Sequence, residues 1–245
     1  MDQQRGRRRG RALLQTFATF AAGCFFSFLV VSAPWRSRER RKVGVVFGDS
    51  ITQHGFLTPD DGPGWVCRLS NHFSRKMDIL NRGFSGYTTR DIVAVWPSIS
   101  LTLPKQLDLV VIFFGANDAI LQGAGPQSVP LKDFTLNLQR LISLFPRTKV
   151  VLITPPPVSE IDLQGRNRAR GKPVLLDRTN ENTEKYANAV IELGTITRIP
   201  VVDFFHLALP NPKAVLSDGL HLNAPGNDLL FNSLLVELER LGLVI

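Results

Sequence analysis

With 245 residues, 44% of them hydrophobic, the chain is long enough for one α/β domain with a sizeable core and an additional segment. Its net charge of +8 comes from residues 1–42, which hold ten of the 29 Lys and Arg residues but only two of the 21 Asp and Glu residues. The rest of the chain has equal numbers of basic and acidic residues, so it lacks the basic excess typical of nucleic-acid-binding proteins. Of the two cysteines, only Cys67 lies beyond residue 42, which excludes a disulfide within that part, and no Cys/His grouping has the spacing of a structural metal site.

A basic and apolar leader occupies residues 1–42. Residues 12–35 form a run of twenty-four residues without a charge, with five Lys or Arg residues on each side. Because a helix needs about 20 apolar residues to cross a bilayer, we expect membrane contact through an anchor here, with a cleaved signal or an organellar transit peptide as alternatives. The predicted location is therefore membrane-anchored or in the secretory pathway; an organelle-targeted or cytoplasmic chain is the alternative. Residues 34–42 are a predicted linker, and residues 43–245 a single globular domain.

From residue 43 onward, short apolar runs alternate with amphipathic stretches. The apolar runs predict strands covered on both faces, at 43–47, 77–80, 107–114, 149–153 and 199–204. The amphipathic stretches predict helices at 65–74, 89–99, 131–144, 181–194 and 224–241. Asp177 or Thr179 is a candidate N-cap for the fourth helix, and Asn223, followed by Pro225, for the last. This order predicts an α/β fold in three layers, a doubly wound parallel five-stranded sheet between helices, with its ligand crevice beyond the carboxyl ends of the strands.

The first predicted strand ends in the run Gly48-Asp49-Ser50. A serine that leaves a strand and enters a helix has a free backbone N–H and a hydroxyl facing the crevice, as a nucleophile requires, although a helix-capping serine is the alternative. The run is not the Gly-x-Ser-x-Gly elbow, since residue 52 is Thr. His54 and Phe56 follow within six residues and are candidates for contacts with a substrate.

The next two strand ends offer groups that could stabilise negative charge. Gly83 ends the second strand, and a glycine allows its backbone N–H to approach an oxyanion closely. Asn117 follows the third strand, where its side-chain amide could point at the same charge. Taken singly, a chain turn at Gly83 and an Asx-turn at Asn117 are the plainer interpretations.

A loop near the C-terminus contains Asp218 and His221, three residues apart around Gly219. A serine nucleophile needs a histidine that shuttles its proton and an acid that orients that histidine. Of the four histidines, we assign an orienting acid only to His221; His72 and His206 are expected to be structural.

Together, Gly48-Asp49-Ser50, Gly83, Gly115-Ala116-Asn117-Asp118 and Asp218-Gly219-Leu220-His221 resemble the four sequence blocks of the GDSL/SGNH hydrolase family, closest to its isoamyl acetate-hydrolysing esterase branch, which includes plant GDSL esterases. The runs Leu152-Ile153-Thr154-Pro155 and Arg178-Thr179-Asn180-Glu181 add to the likeness, which extends from about residue 43 to the end. The leader has no counterpart in a typical member.

The resemblance implies a flavodoxin-like SGNH fold and a serine ester hydrolase. Ser50 would be the nucleophile, His221 its base and Asp218 the orienting acid. The oxyanion hole would consist of the Ser50 and Gly83 N–H groups and the Asn117 amide. No metal or organic cofactor is implied, because an acyl-enzyme divides the reaction into two easier steps.

The predicted activity is hydrolysis of small or short-acyl esters of the acetate type. An acyltransferase, or a deacetylase of sugars or lipids, would use the same acyl-enzyme and is the alternative. A binding protein on an inactive hydrolase fold is disfavoured because every group of the triad is present. The expected partner is a small ester, whose acyl and alcohol groups the sequence leaves open, as it does the oligomeric state.

Overall fold

The structure, a computed structural model, describes residues 40–57, 62–171 and 176–243. The run at 12–35, with the predicted membrane contact, lies outside these residues. Within the described ranges, none of the helices has the length and apolar character needed to span a bilayer.

The described residues form a five-stranded sheet in which every pairing is parallel. Its strands are β1 (Lys42–Gly48), β2 (Met77–Gly83), β3 (Leu109–Phe113), β4 (Lys149–Ile153) and β5 (Val201–Val202). They lie in the order β2-β1-β3-β4-β5, the doubly wound arrangement that the alternating pattern predicts. At the carboxyl edge, Gly48 of β1 lies opposite Gly83 on one side and Phe113 on the other. The ends of β1, β2 and β3 therefore lie side by side at one edge of the sheet.

The helices connect these strands as crossovers or follow the last strand. They are α1 (Ser50–Gln53), α2 (Trp65–His72), α3 (Thr89–Ser100), α4 (Leu131–Ser143), α5 (Glu160–Ala169), α6 (Asn180–Thr197), α7 (Phe204–Ala208), α8 (Pro212–Val215) and α9 (Ala224–Arg240). Thr179, one of the two candidates, caps α6, and Asn223 caps α9 as predicted.

The three layers follow from the alternation of side chains along buried strands. In β3, Leu109, Val111 and Phe113 point to one face, where they pack with α2, α7 and α9. Val110 and Ile112 point to the other face and pack with α3, α4 and α6. Full burial of such a side chain contributes about 1.5–3 kcal/mol, so the sheet is stabilised from both sides.

The clearest differences from the predictions are the length of β5 and three unpredicted helices, α5, α7 and α8, of which α5 is the longest. β5 has two residues instead of six, because Asp203 ends it and caps α7, accepting the His206 backbone N–H at 3.3 Å. Helix α5 was not predicted, because Leu163 is its one buried residue and its sequence has no apolar period.

Candidate active site

Ser50 is the first residue of α1, directly after β1. The N-cap is the preceding Asp49, whose Oδ1 accepts the Ile51 backbone N–H at 2.9 Å. Asp49 therefore fills the capping role that the sequence left open for Ser50. The Ser50 hydroxyl is free for another partner, on a residue only 7% exposed.

Ser50, His221 and Asp218 form a hydrogen-bonded series. Ser50 Oγ lies 2.9 Å from His221 Nε2, and His221 Nδ1 lies 2.9 Å from Asp218 Oδ2. A carboxylate can only accept, so Nδ1 holds the ring proton and Nε2 accepts from the Ser50 hydroxyl. Asp218 Oδ1 also accepts the backbone N–H groups of His221 at 2.9 Å and Leu220 at 3.1 Å, which fixes the carboxylate across its loop.

Arg166, on α5, is a second partner of the Asp218 side chain. Its Nη1 lies 3.0 Å from Asp218 Oδ2, the same oxygen that accepts from His221. Partial burial alone would raise the pKa of Asp218, but the hydrogen bonds from the His221 side chain and backbone, together with Arg166, hold that pKa well below its usual range. No sequence pattern indicated Arg166, because its contact joins residues 52 positions apart.

Asn117 has both ends of its side-chain amide held. Its Nδ2 donates to the Tyr87 carbonyl at 2.9 Å, and its Oδ1 accepts from Arg178 Nη2 at 3.0 Å. One N–H of the amide therefore remains for a ligand, and Asn117 and Ser50 line the same cleft. The Asx-turn alternative is not what the structure has.

The prediction for Gly83 is corrected by the geometry. Its backbone N–H donates to Asn81 Oδ1 at 2.8 Å, and Gly83 is not among the residues that line the cleft. Strand β2 does end at Gly83, but the residues after it that line the cleft are Ser85 and Gly86, two and three positions later.

Gly86 lies where a backbone donor to the cleft is needed. It lines the cleft with Ser50 and Asn117, and its φ of +82° is a conformation that favours glycine. Its carbonyl accepts from Gln127 Nε2 at 2.7 Å, which holds the turn. Within the part of the chain that the structure describes, its N–H is paired with no acceptor. A glycine three residues beyond the strand end was the sequence signal that could have found it.

The cleft has a volume of about 550 Å³, an ordinary size for a small-molecule site. Its wall combines apolar side chains with three arginines. It is lined by Ser50, Ser85, Gly86, Asn117, Ile120, Ala124, Gly125, Pro126, Gln127, Arg166, Asn167, Arg170, Leu176, Asp177, Arg178, Leu220 and His221.

The two predicted substrate contacts lie outside this lining. The His54 ring is near the site, with its centroid 6.1 Å from that of His221 and the rings edge to face. Phe56 is an exposed side chain, 44% accessible. Neither residue lines the cleft, so the structure does not bring them into contact with a ligand held there.

His206, like His221, has an acid three residues before it, so this spacing alone does not identify the catalytic histidine. Asp203 has the same spacing, and its Oδ2 lies 2.8 Å from His206 Nδ1. The sequence assignment of an acid to His221 alone was therefore wrong. What distinguishes His221 is the Ser50 hydroxyl on its other ring nitrogen.

Two buried carboxyl groups lie next to the site residues. Desolvation raises the pKa of Asp49 to about 6, against the hydrogen bond from Ile51. Desolvation likewise raises the pKa of Asp118 to about 7, although Thr89 donates to it through both its hydroxyl and its backbone N–H. Across the described ranges, no group of three or more His, Cys, Asp or Glu side chains is arranged to hold a metal ion.

A serine hydroxyl, an imidazole and a carboxylate in series, at the carboxyl edge of a doubly wound sheet, are the arrangement of a serine hydrolase. Residues 46–229 match the model of the GDSL-like lipase/acylhydrolase family. The chain belongs to this family, and it is a carboxylic ester hydrolase.

Two relatives and one solved structure illustrate what the chain is similar to within this family. It is 37% identical over 207 residues to the isoamyl acetate-hydrolyzing esterase 1 homolog of Mus musculus, covering 80% of this chain and 81% of that protein. It is 34% identical over 208 residues to the isoamyl acetate-hydrolyzing esterase of Saccharomyces cerevisiae, covering 80% and 85%. The crystal structure of a lipase/acylhydrolase from Enterococcus faecalis has a TM-score of 0.64 at 28% identity, covering 80% of this chain and 95% of that one.

Proposed function

We propose that the protein hydrolyses small or short-acyl esters of the acetate type through an acyl-enzyme on Ser50. The observation that supports this most directly is the unbroken series from Ser50 Oγ through His221 to Asp218, with spacings of 2.9 Å at both steps. A weak nucleophile needs such an adjacent base, and the base needs an orienting partner.

In the first step, Ser50 Oγ attacks the ester carbonyl while His221 Nε2 takes the hydroxyl proton. The carbonyl oxygen becomes an oxyanion, which the Ser50 and Gly86 backbone N–H groups and the free N–H of Asn117 Nδ2 stabilise. His221 then gives its proton to the departing alcohol, leaving an acyl group on Ser50.

In the second step, His221 takes a proton from water, and the resulting hydroxide attacks the acyl-enzyme. The same three donors hold the oxyanion, and His221 returns the proton to Ser50 Oγ as the acid leaves. Asp218 remains ionised throughout, because its pKa lies well below the usual range.

The preference for small esters is supported by the similarity to relatives named isoamyl acetate-hydrolyzing esterases. The acyl group and the alcohol group of such an ester are both short and mostly apolar. Ile120, Ala124 and Leu220 give the cleft an apolar wall that fits them. An ester series with acyl chains of graded length on one activated alcohol tests this. We expect kcat/KM to be highest for the shortest chains; a steady rise with chain length would contradict the proposal.

Replacement of the nucleophile tests the reaction itself. Ser50→Ala should lower hydrolysis of an activated acetate ester by at least about 10⁴-fold, because loss of a triad member removes covalent catalysis. Ser233→Ala is a matched control, since Ser233 Oγ donates to the Leu229 carbonyl within α9, away from the cleft. Near wild-type turnover by Ser50→Ala, with an unchanged circular dichroism spectrum, would rule out Ser50 as nucleophile.

Acyl transfer would proceed through the same intermediate, so products must separate it from hydrolysis. The assay is repeated with an added alcohol or sugar acceptor. Free acid as the main product supports a hydrolase; a transferred ester as the main product supports the transferase.

We also propose that residues 12–35 anchor the chain to a membrane, on the length of their uncharged run. Carbonate extraction of membranes containing the full chain tests this. An anchored chain stays in the pellet, and release of the whole protein into the supernatant would contradict the anchor.

A further inference from the structure

Arg178 is a buried cation that the triad chemistry does not use. The residue is only 5% exposed, and its guanidinium has three partners. Its Nη1 pairs with Asp177 Oδ2 at 2.8 Å, its Nε donates to the Ala116 carbonyl at 2.8 Å, and its Nη2 donates to Asn117 Oδ1 at 3.0 Å. Two of the three acceptors therefore belong to the turn that follows β3.

The chemistry of these partners leaves the Asn117 amide one orientation. A guanidinium only donates, so the atom facing Arg178 must be the amide oxygen. A backbone carbonyl only accepts, so the atom facing Tyr87, 2.9 Å away, must be the amide nitrogen. Among the residues that the structure describes, the second N–H of Nδ2 has no such partner, and it is the one available to the cleft.

We propose that Arg178 is a positioning residue of the oxyanion hole, which fixes the Asn117 amide and strengthens it as a donor. This rests on the role assigned to Asn117 in the proposed function. Arg178 acts through Asn117: its hydrogen bond prevents rotation of the amide and draws electron density toward Oδ1. An amide polarised in this way is a stronger donor at Nδ2, as in other chains of hydrogen bonds.

The planar guanidinium explains why arginine occupies this position. Nε and Nη2 lie on one edge of a rigid fork, and they bond the Ala116 carbonyl and the Asn117 side chain at the same time. The ammonium group of a lysine is a single point on a flexible stem and cannot match two acceptors with the same fixed spacing. Arg178 thereby ties the backbone of the turn and the side chain of Asn117 into one unit.

A double-mutant cycle separates positioning from general support of the fold. Asn117→Ala should lower kcat by about 10²–10³-fold with little change in KM, as expected for a donor used in the transition state. Arg178→Met should lower kcat by at least about tenfold with KM within about threefold, because the amide is no longer held. In the Asn117→Ala background, Arg178→Met should lower kcat by less than about threefold more, since there is no amide left to position.

Arg178→Lys is the second variant, and it keeps the charge opposite Asp177. It should melt near the wild-type temperature and still lose kcat, so the inference stays testable if Arg178→Met folds poorly. Arg68→Met is the matched control, because it removes an ion pair with Asp228 and a bond to the Pro63 carbonyl away from the cleft. Its kcat should equal that of the wild type.

An equal loss of kcat from Arg178→Met in both backgrounds would overturn the inference, while the proposed function would stand. Full activity of Arg178→Lys would also overturn it. Full activity of Asn117→Ala would overturn both the inference and the oxyanion role of Asn117. Failure of the proposed function as a whole is read separately, from Ser50→Ala.

Discussion

Gly83 and Gly86 lie three residues apart, yet a methyl group would meet different surroundings at each. At Gly83 it would lie 2.0 Å from the backbone nitrogen of Gln53, which cannot move without disturbing α1. At Gly86 it would lie 3.3 Å from Gln127 Nε2, the end of a flexible side chain, so the main cost is the positive φ, about 1–2 kcal/mol.

These surroundings predict that the two alanine variants change different properties, the stability in one case and the rate in the other. Gly83→Ala should lower the melting temperature strongly, whereas Gly86→Ala should fold and lower kcat, because strain at residue 86 redirects its N–H away from the oxyanion. Thermal melts and steady-state kinetics on both variants test this. A Gly83→Ala variant that melts normally but loses kcat would return the oxyanion role to Gly83.

The distance along the chain explains which of these residues the sequence could indicate. Asp218 and His221 are three residues apart in a tight loop, and Ser50 follows a strand directly, so local patterns place them at the crevice. Arg166 and Arg178 contact partners 52 and 61 residues away, through packing that no local pattern encodes. The glycine donor was missed for a smaller reason: the turn after β2 extends three residues beyond the strand.

Among the elements, the sequence pattern predicted those whose burial is periodic. β4 has the predicted bounds, and α2, α3, α4 and α9 begin at the predicted residues, because each buries a regular apolar set. Helix α5 buries Leu163 alone, and its other contacts include polar ones, such as Ser159 with Asp162 and Arg166 with Asp218, which leaves no periodic signal. The element that supplies Arg166 was thus the least visible.

The connection between β4 and α5 depends on Asn180 at the start of α6. Asn180 Oδ1 accepts the Val158 N–H at 2.8 Å, and its Nδ2 donates to the Val158 carbonyl at 2.9 Å. The next residue, Ser159, donates its N–H to Gly219, inside the loop of Asp218 and His221, at 3.0 Å. One side chain thereby joins α6, the start of α5 and the triad loop.

Asn180→Ala should therefore reduce both stability and kcat/KM. The buried backbone of Val158 would lose both hydrogen bonds, at a cost of about 1–3 kcal/mol in the free energy of unfolding. Urea denaturation measures this, with Glu181→Ala as the control, because the Glu181 side chain is exposed and pairs with Lys185 on the same helix. Equal stability of the two variants would show that Asn180 does not join these elements.

At the scale of the whole molecule, Asp49 and Asp118 make folding stability depend on pH. Burial raises their pKa values from an ordinary 3.8 to about 6 and about 7. Between pH 3.8 and these values, the folded protein holds protons that the unfolded chain has released. The stability that these two carboxyls contribute is therefore fully present below this window and is lost as the pH rises through it. Asp218 has the opposite sign, but its pKa is lowered, so its effect lies at more acid pH.

We expect the melting temperature to be lower at pH 8 than at pH 5, by at least about 2–4 °C, the shift that about 1 kcal/mol produces in a domain of this size. Asp118→Asn should reduce this slope, because the amide oxygen still accepts from Thr89 while the side chain stays neutral at every pH. For each variant, the melting temperatures at pH 5 and pH 8 are compared with each other. A pH-independent loss of stability caused by the substituted amide therefore does not affect the result. Asp78→Asn, which removes a half-exposed carboxylate paired with Arg41, should leave the slope as in the wild type. A melting temperature that rises between pH 5 and pH 8, with the same slope in Asp118→Asn, would contradict the raised pKa values of the two buried carboxyls.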